Sequence, residues 1–295
     1  MLTGTASGAS DAACDPPGRN VLRLRVLTAL IAAPIVLAVI FIAPTLVFAT
    51  FFFALAAIGV FEWCRLAALD SRIARNVALV AFGMLAALIG ASEGLLGVGL
   101  AVPFLAFASA LWLAAGVWVL GYPRGSGVLR MPVLNAGLGL VLLLAAWYGL
   151  VRLRTETGGA WLVLWVLAVV WAADIGAYFA GRRWGRRKLA PAVSPGKTWE
   201  GALGGLLASI ATGAALGAAV PALAPRFGVV AWGASALVVG VVSIFGDLFE
   251  SALKRTRGVK DSGTLLPGHG GVLDRIDSVI AAAPMMALML SLQAR

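Results

Sequence analysis

Nine apolar runs alternate with short polar stretches along the chain, at 26–43, 45–61, 77–91, 98–120, 133–150, 160–180, 201–220, 229–249 and 278–292. A helix needs about 20 mostly apolar residues to cross a hydrocarbon core roughly 30 Å thick. The pattern therefore predicts an all-α polytopic membrane protein of about nine transmembrane helices. The third and ninth runs are short, which fixes the count to within one. Ahead of the first run lies a polar leader rich in Gly, Ala and Ser that carries Arg19, Arg23 and Arg25. The apolar stretch behind it is too long for the core of a signal peptide, and no small-x-small cleavage site follows. A retained first helix is expected, and the chain divides into a disordered cytoplasmic leader (1–25), an N-terminal set of helices (26–158) and a C-terminal catalytic region (159–295).

Composition agrees with this division. With 61% hydrophobic and 12% charged residues and a mean hydropathy of +0.97, the 295-residue chain falls outside the soluble globular class. Its two cysteines, Cys14 and Cys64, supply neither a disulfide framework nor a zinc site. The net charge is +10. Lys and Arg favour cytoplasmic loops, and placing the N-terminus inside puts nineteen of the 23 basic residues on that face, leaving Arg152, Arg154, Arg226 and Arg295 outside. Topology thus accounts for the positive charge, and no nucleic-acid partner is expected. The chain reads as a multi-pass protein of the cell inner membrane with its working face toward the cytoplasm.

Charged side chains at membrane depth cost about 3 kcal/mol each on insertion scales, so acids inside apolar runs mark function. Asp174 interrupts VLAVVWAADIGAYFAG and Asp247 interrupts VVGVVSIFGDLFES, while Asp274 and Asp277 open the ninth run. The chosen orientation brings all four to one membrane face. Ser243, Asp247, Glu250, Ser251 and Lys254 recur at steps of three or four and form one polar stripe. Asp174 and Tyr178 form another.

Between the sixth and seventh runs, GRRWGRRKLAPAVSPGKTWEG places five basic residues in seven positions and then Ser194, Lys197 and Thr198 at a helix start. Backbone N–H groups, a lysine and two hydroxyls there suit a phosphate. Position 191 is proline where a P-loop needs glycine, and no strand is expected before it, so a P-loop NTPase is excluded. Further on, PGHGGVLDRID gives a glycine-lined turn, with Arg275 between Asp274 and Asp277. Carboxylates meet phosphates through Mg²⁺, which takes hard oxygen ligands. Asp247 and Asp274 are the expected metal ligands, with Lys254, Arg255 and Lys260 balancing substrate charge. His269, the single histidine, is either a general base or a turn residue bonded to its glycine neighbours.

The blocks SALKR, KDSG, LPGHGG and DRID, from Ser251 to Asp277, together with DIGAYFAGRRWGRRKLAPAVSPGKTWEG, resemble the signature of the phosphatidate cytidylyltransferases, also called CDP-diacylglycerol synthases. The resemblance covers roughly the last 120 residues; the N-terminal spans match in hydropathy alone. It implies transfer of the cytidylyl group of CTP to phosphatidic acid, giving CDP-diacylglycerol and pyrophosphate. It further implies Mg²⁺ with a companion monovalent cation such as K⁺, a homodimer, and a catalytic set of Asp247, Asp274, Lys197, Lys254 and Arg255. Ser194, Thr198, Lys260, His269 and Arg275 are then substrate contacts, and Asp174 and Asp277 are ligands or their supports. Two alternatives remain at this point. One is a CTP-dependent lipid kinase of the polyprenol kind; the other is an ion-coupled transporter, since intramembrane acids also mark transport paths.

Overall fold

The computed structural model describes residues 17–94, 99–265 and 270–293, with nine α-helices among them. These are α1 (Pro17–Phe41), α2 (Thr45–Leu66), α3 (Arg72–Gly94), α4 (Ala101–Leu120), α5 (Pro132–Thr155), α6 (Gly159–Trp184), α7 (Trp199–Ala219), α8 (Val229–Arg257) and α9 (Leu273–Gln293). Eight are long and apolar enough to cross a membrane; α1 contributes a shorter apolar stretch, Leu30–Phe41. The all-α polytopic expectation holds. Helices extend beyond several apolar runs because their ends carry polar residues: α3 begins at Arg72, α8 continues to Arg257, and α9 begins at Leu273 rather than at Ser278. That extension brings the two short runs to spanning length.

One element was not expected. SPGKT is itself a strand, β2 (Ser194–Thr198), paired antiparallel with β1 (Lys188–Ala190) in the register Lys188↔Thr198 and Ala190↔Ser194. No strand is expected from the sequence before Lys197, and this hairpin corrects that expectation. Ala190 of β1 and Val193 of the connecting turn pack against Leu248 and Ala252 of α8 and Val119 of α4. The hairpin therefore sits on the bundle at the end where α6 and α8 finish and α9 starts.

Helices α5 and α9 form the interior, α9 contacting α8, α5, α4, α6 and α2. In lipid, helices gain no hydrophobic drive to associate, so close packing of small residues takes over. Helix α7 shows this: Gly201, Gly205, Ser209, Gly213 and Gly217 recur every four residues and are all buried. A Cβ at Gly204 or Gly213 would run into Ala180 or Ala236. The hydroxyl of Ser209 donates to the Val169 carbonyl at 3.1 Å, and the Trp165 indole donates to the Gly213 carbonyl at 2.8 Å. The Gly/Ala-rich seventh helix thus packs within its own chain, between α6 and α8.

Candidate active site

Four parts of the chain meet in a pocket of about 420 Å³. Helix α6 supplies Asp174, Tyr178 and Arg182, the hairpin supplies Gly196, Lys197 and Thr198, α7 supplies Gly201 and α8 supplies Asp247. Helical geometry puts Asp174, Tyr178 and Arg182 on one face at steps of four. The Arg182 guanidinium donates to the Tyr178 hydroxyl at 2.9 Å. Strand β2 carries Lys197 inward, and its ammonium donates to Asp247 Oδ2 at 2.5 Å. Ser251, one turn along α8, donates to Asp247 Oδ1 at 3.5 Å. The Asp247 charge acts on both Asp174 and Asp277, so three of the four expected carboxylates share one electrostatic neighbourhood.

Close backbone approach makes this possible. A Cβ at Gly246 would collide with the main chain of Asp277, so α8 and α9 touch beside the carboxylates. The Thr198 hydroxyl caps α7, accepting from the Gly201 N–H at 3.1 Å. Its first role is to fix the turn from strand to helix. Glu200 closes the base of the hairpin, accepting from the Arg186 and Arg187 N–H groups at 3.0 and 3.2 Å.

A second group lies two turns along α8. Lys254 pairs with Glu250, which is fully buried, and donates to Asp274 Oδ1 at 2.7 Å. The other oxygen of Asp274 accepts from Ser262 N–H at 2.9 Å, the Ser262 hydroxyl at 3.0 Å and Gly271 N–H at 2.8 Å. Gly270 sits there with φ +82°, a conformation that suits glycine, and a Cβ on it would crowd that oxygen. Asp277 accepts from the Ser278 N–H at 2.7 Å.

The remaining expected residues lie differently. Arg255 turns from the pocket to the hairpin, where its Nε donates to the Val193 carbonyl at 3.2 Å. Ser194 stands at the far end of β2, opposite Ala190 and apart from the pocket lining. Lys260 and Arg275 are exposed. His269 lies outside the described residues.

Two buried acids escaped the expected site. Glu250 belonged to the polar stripe of α8 but was given no role. Glu62 near the end of α2 is 3% exposed and receives three hydrogen bonds, from Ser262, Val272 and Leu273. Glu62 directly follows the run 45–61 instead of interrupting it, so the rule for acids inside apolar runs does not select it.

The fold is that of a polytopic membrane protein with a candidate site at one end of its helix bundle. The chain belongs to the cytidylyltransferase family, whose sequence model matches residues 23–293. A phosphatidate cytidylyltransferase of Pseudomonas aeruginosa is 45% identical over 277 residues, covering 92% of this chain and 97% of that protein. One from Haemophilus influenzae is 36% identical over 281 residues, covering 90% and 98%. A third, from Brucella suis, is 48% identical over 135 residues, covering 45% of this chain and 48% of its own length. The transporter alternative is set aside with this membership.

Proposed function

We propose that the enzyme transfers the cytidylyl group of CTP to phosphatidic acid, giving CDP-diacylglycerol and pyrophosphate. The observation that carries this reading is the meeting of Lys197, Arg182, Asp174 and Asp247 in one pocket at the ends of membrane-spanning helices. Cations on two sides suit phosphate oxygens, and the position at a helix-bundle end gives access to an aqueous nucleotide and a lipid headgroup at once. The two relatives that cover 92% and 90% of this chain carry the name of the same reaction.

In the proposed step an oxygen of the lipid phosphate attacks the α-phosphorus of CTP in line. The bond from that phosphorus to the bridging oxygen breaks, and pyrophosphate leaves with the electron pair. The attacking group is already ionised near neutral pH, so no general base is required and His269 needs no such role. Lys197, on a flexible stem, is the group able to leave Asp247 for a phosphate oxygen; Arg182, held by Tyr178, offers a planar donor at the pocket wall. Lys254 pairs with both Asp274 and Glu250 and offsets part of their charge. Catalysis here is positioning and charge stabilisation.

One feature supports a role for Mg²⁺. Asp247 and Asp274 each hold a lysine ammonium at one carboxylate oxygen, so each already faces positive charge that a divalent ion could replace. No cluster of three acidic, His or Cys ligands exists among the described residues, so substrate phosphates and water would complete the octahedron. Asp247 and Asp274 would hold the ion, with K⁺ as its companion. When bound, Mg²⁺ supplies neutralisation of the phosphate oxygens. We further propose a homodimer in the cell inner membrane, with residues 1–25 and the pocket on the cytoplasmic face.

Purified protein given CTP, phosphatidic acid and Mg²⁺ is expected to release pyrophosphate, and excess chelator is expected to stop it. Release that continues undiminished in chelator would contradict the metal assignment. Replacing Lys197 by alanine is expected to lower kcat/KM for CTP about a hundredfold, with unchanged yield of extracted, monodisperse protein. Loss of folded protein instead would make Lys197 a structural residue.

A further inference from the structure

Glu62 ties the N-terminal half of the chain to the site. Its Oε1 accepts from the Val272 N–H at 3.1 Å, and its Oε2 accepts from the Leu273 N–H at 2.7 Å and the Ser262 hydroxyl at 3.0 Å. Helix α9 starts at Leu273, so two of these donors are N–H groups that a helix start leaves without partners. The positive end of the helix favours a carboxylate at that point. Glu62 therefore caps α9 from another helix, 211 positions earlier in the chain. Room for it is made by Gly263 and Gly271, since a Cβ on either would run into its carboxylate.

The contact does not end at the cap. The Ser262 hydroxyl is shared between Glu62 and Asp274, and Asp274 in turn holds Lys254, which pairs with Glu250. A continuous chain of polar contacts thus runs from α2 through Ser262 to Asp274 of α9 and Lys254 of α8. Every link is buried or half-buried. Displacing Glu62 would release Ser262, Val272 and Leu273 together, and with them the hydrogen bonds that orient Asp274.

We propose that Glu62 is a positioning residue for cytidylyl transfer: it fixes the start of α9 and the backbone at Ser262 so that Asp274 keeps its hold on Lys254 of α8. The catalytic consequence rests on the function proposed above; the fixing of the α9 start rests on the hydrogen bonds alone.

The test compares full-length wild type with Glu62→Gln, which keeps shape but replaces one acceptor oxygen with a donor. Two quantities are read: amide hydrogen exchange of peptides containing Val272 and Leu273, and turnover per bound CTP. Exchange at those amides is expected to quicken about tenfold or more. Over the same change kcat is expected to fall about tenfold or more, with KM for CTP within about threefold and CTP stoichiometry unchanged. A purely structural residue would lower the amount of CTP-binding protein and leave turnover per site intact. Unchanged exchange, or faster exchange with turnover within about twofold of wild type, would overturn the proposal. A wild type that makes no CDP-lipid would sink the reaction assignment and the catalytic half of this one, while exchange still decides whether Glu62 holds the start of α9. Should Glu62→Gln not fold, Ser262→Ala, which removes only the shared hydroxyl, is read by the same two measurements.

Discussion

Asp247→Asn is expected to lower CDP-lipid formation by about a thousandfold or more, with the protein still extracted and folded. Asp247 is the group the pocket shares: it holds Lys197 and Ser251, and its charge acts on Asp174 and Asp277. Asparagine keeps the shape and loses the charge that both a lysine and a divalent ion require. The stability effect should stay small because the lysine and carboxylate side chains are 29% and 27% exposed, so solvent screens the pair. Initial rates of pyrophosphate release and thermal melting in detergent read the two quantities separately. Near-normal turnover would remove Asp247 from the site.

Lys254→Met is expected to cost stability as well as activity, and here the balance is reversed. Lys254 is 14% exposed and sits between Glu250 at 1% and Asp274 at 7%. Removing one partner of a buried ionic group leaves uncompensated charge, at a cost of about 3–5 kcal/mol. Methionine fills the space of the stem, so the loss reads the charge rather than a cavity. Combining it with Glu250→Gln should recover part of the melting temperature without recovering turnover. A Lys254→Met protein as stable as wild type would mean that these three groups do not form the ionic cluster described.

Much of the site was legible because lipid makes charge expensive. Asp174 and Asp247 stood out as acids inside apolar runs, and the structure brings both into one pocket with Lys197 and Thr198. Lys254 and Arg255 differ for a geometric reason also present in the sequence. At roughly 100° per residue, Lys254 lies within roughly 20° of Asp247 on the helix surface, and Arg255 roughly 80° away. The first therefore faces the acids and the second the hairpin. The strand over Ser194–Thr198 was hidden because proline and glycine inside five residues argue against a strand, and the packing of Val193 on α8 overrides that preference. Glu62 was missed for another reason. Its partners lie 200 to 211 positions away, and local spacing carries no trace of such a contact.

The central claim is that carboxylates from separate helices, with lysines from α8 and the β1–β2 hairpin, bring two anionic reactants together for attack at the α-phosphorus of CTP. Purified protein supplied with phosphatidic acid and Mg²⁺ can be given CTP labelled in the α-phosphate, and in a parallel reaction CTP labelled in the γ-phosphate. The account predicts that α-label enters the lipid and γ-label leaves as pyrophosphate. Lipid carrying the γ-label, with CDP as the soluble product, would contradict it and make the protein a lipid kinase.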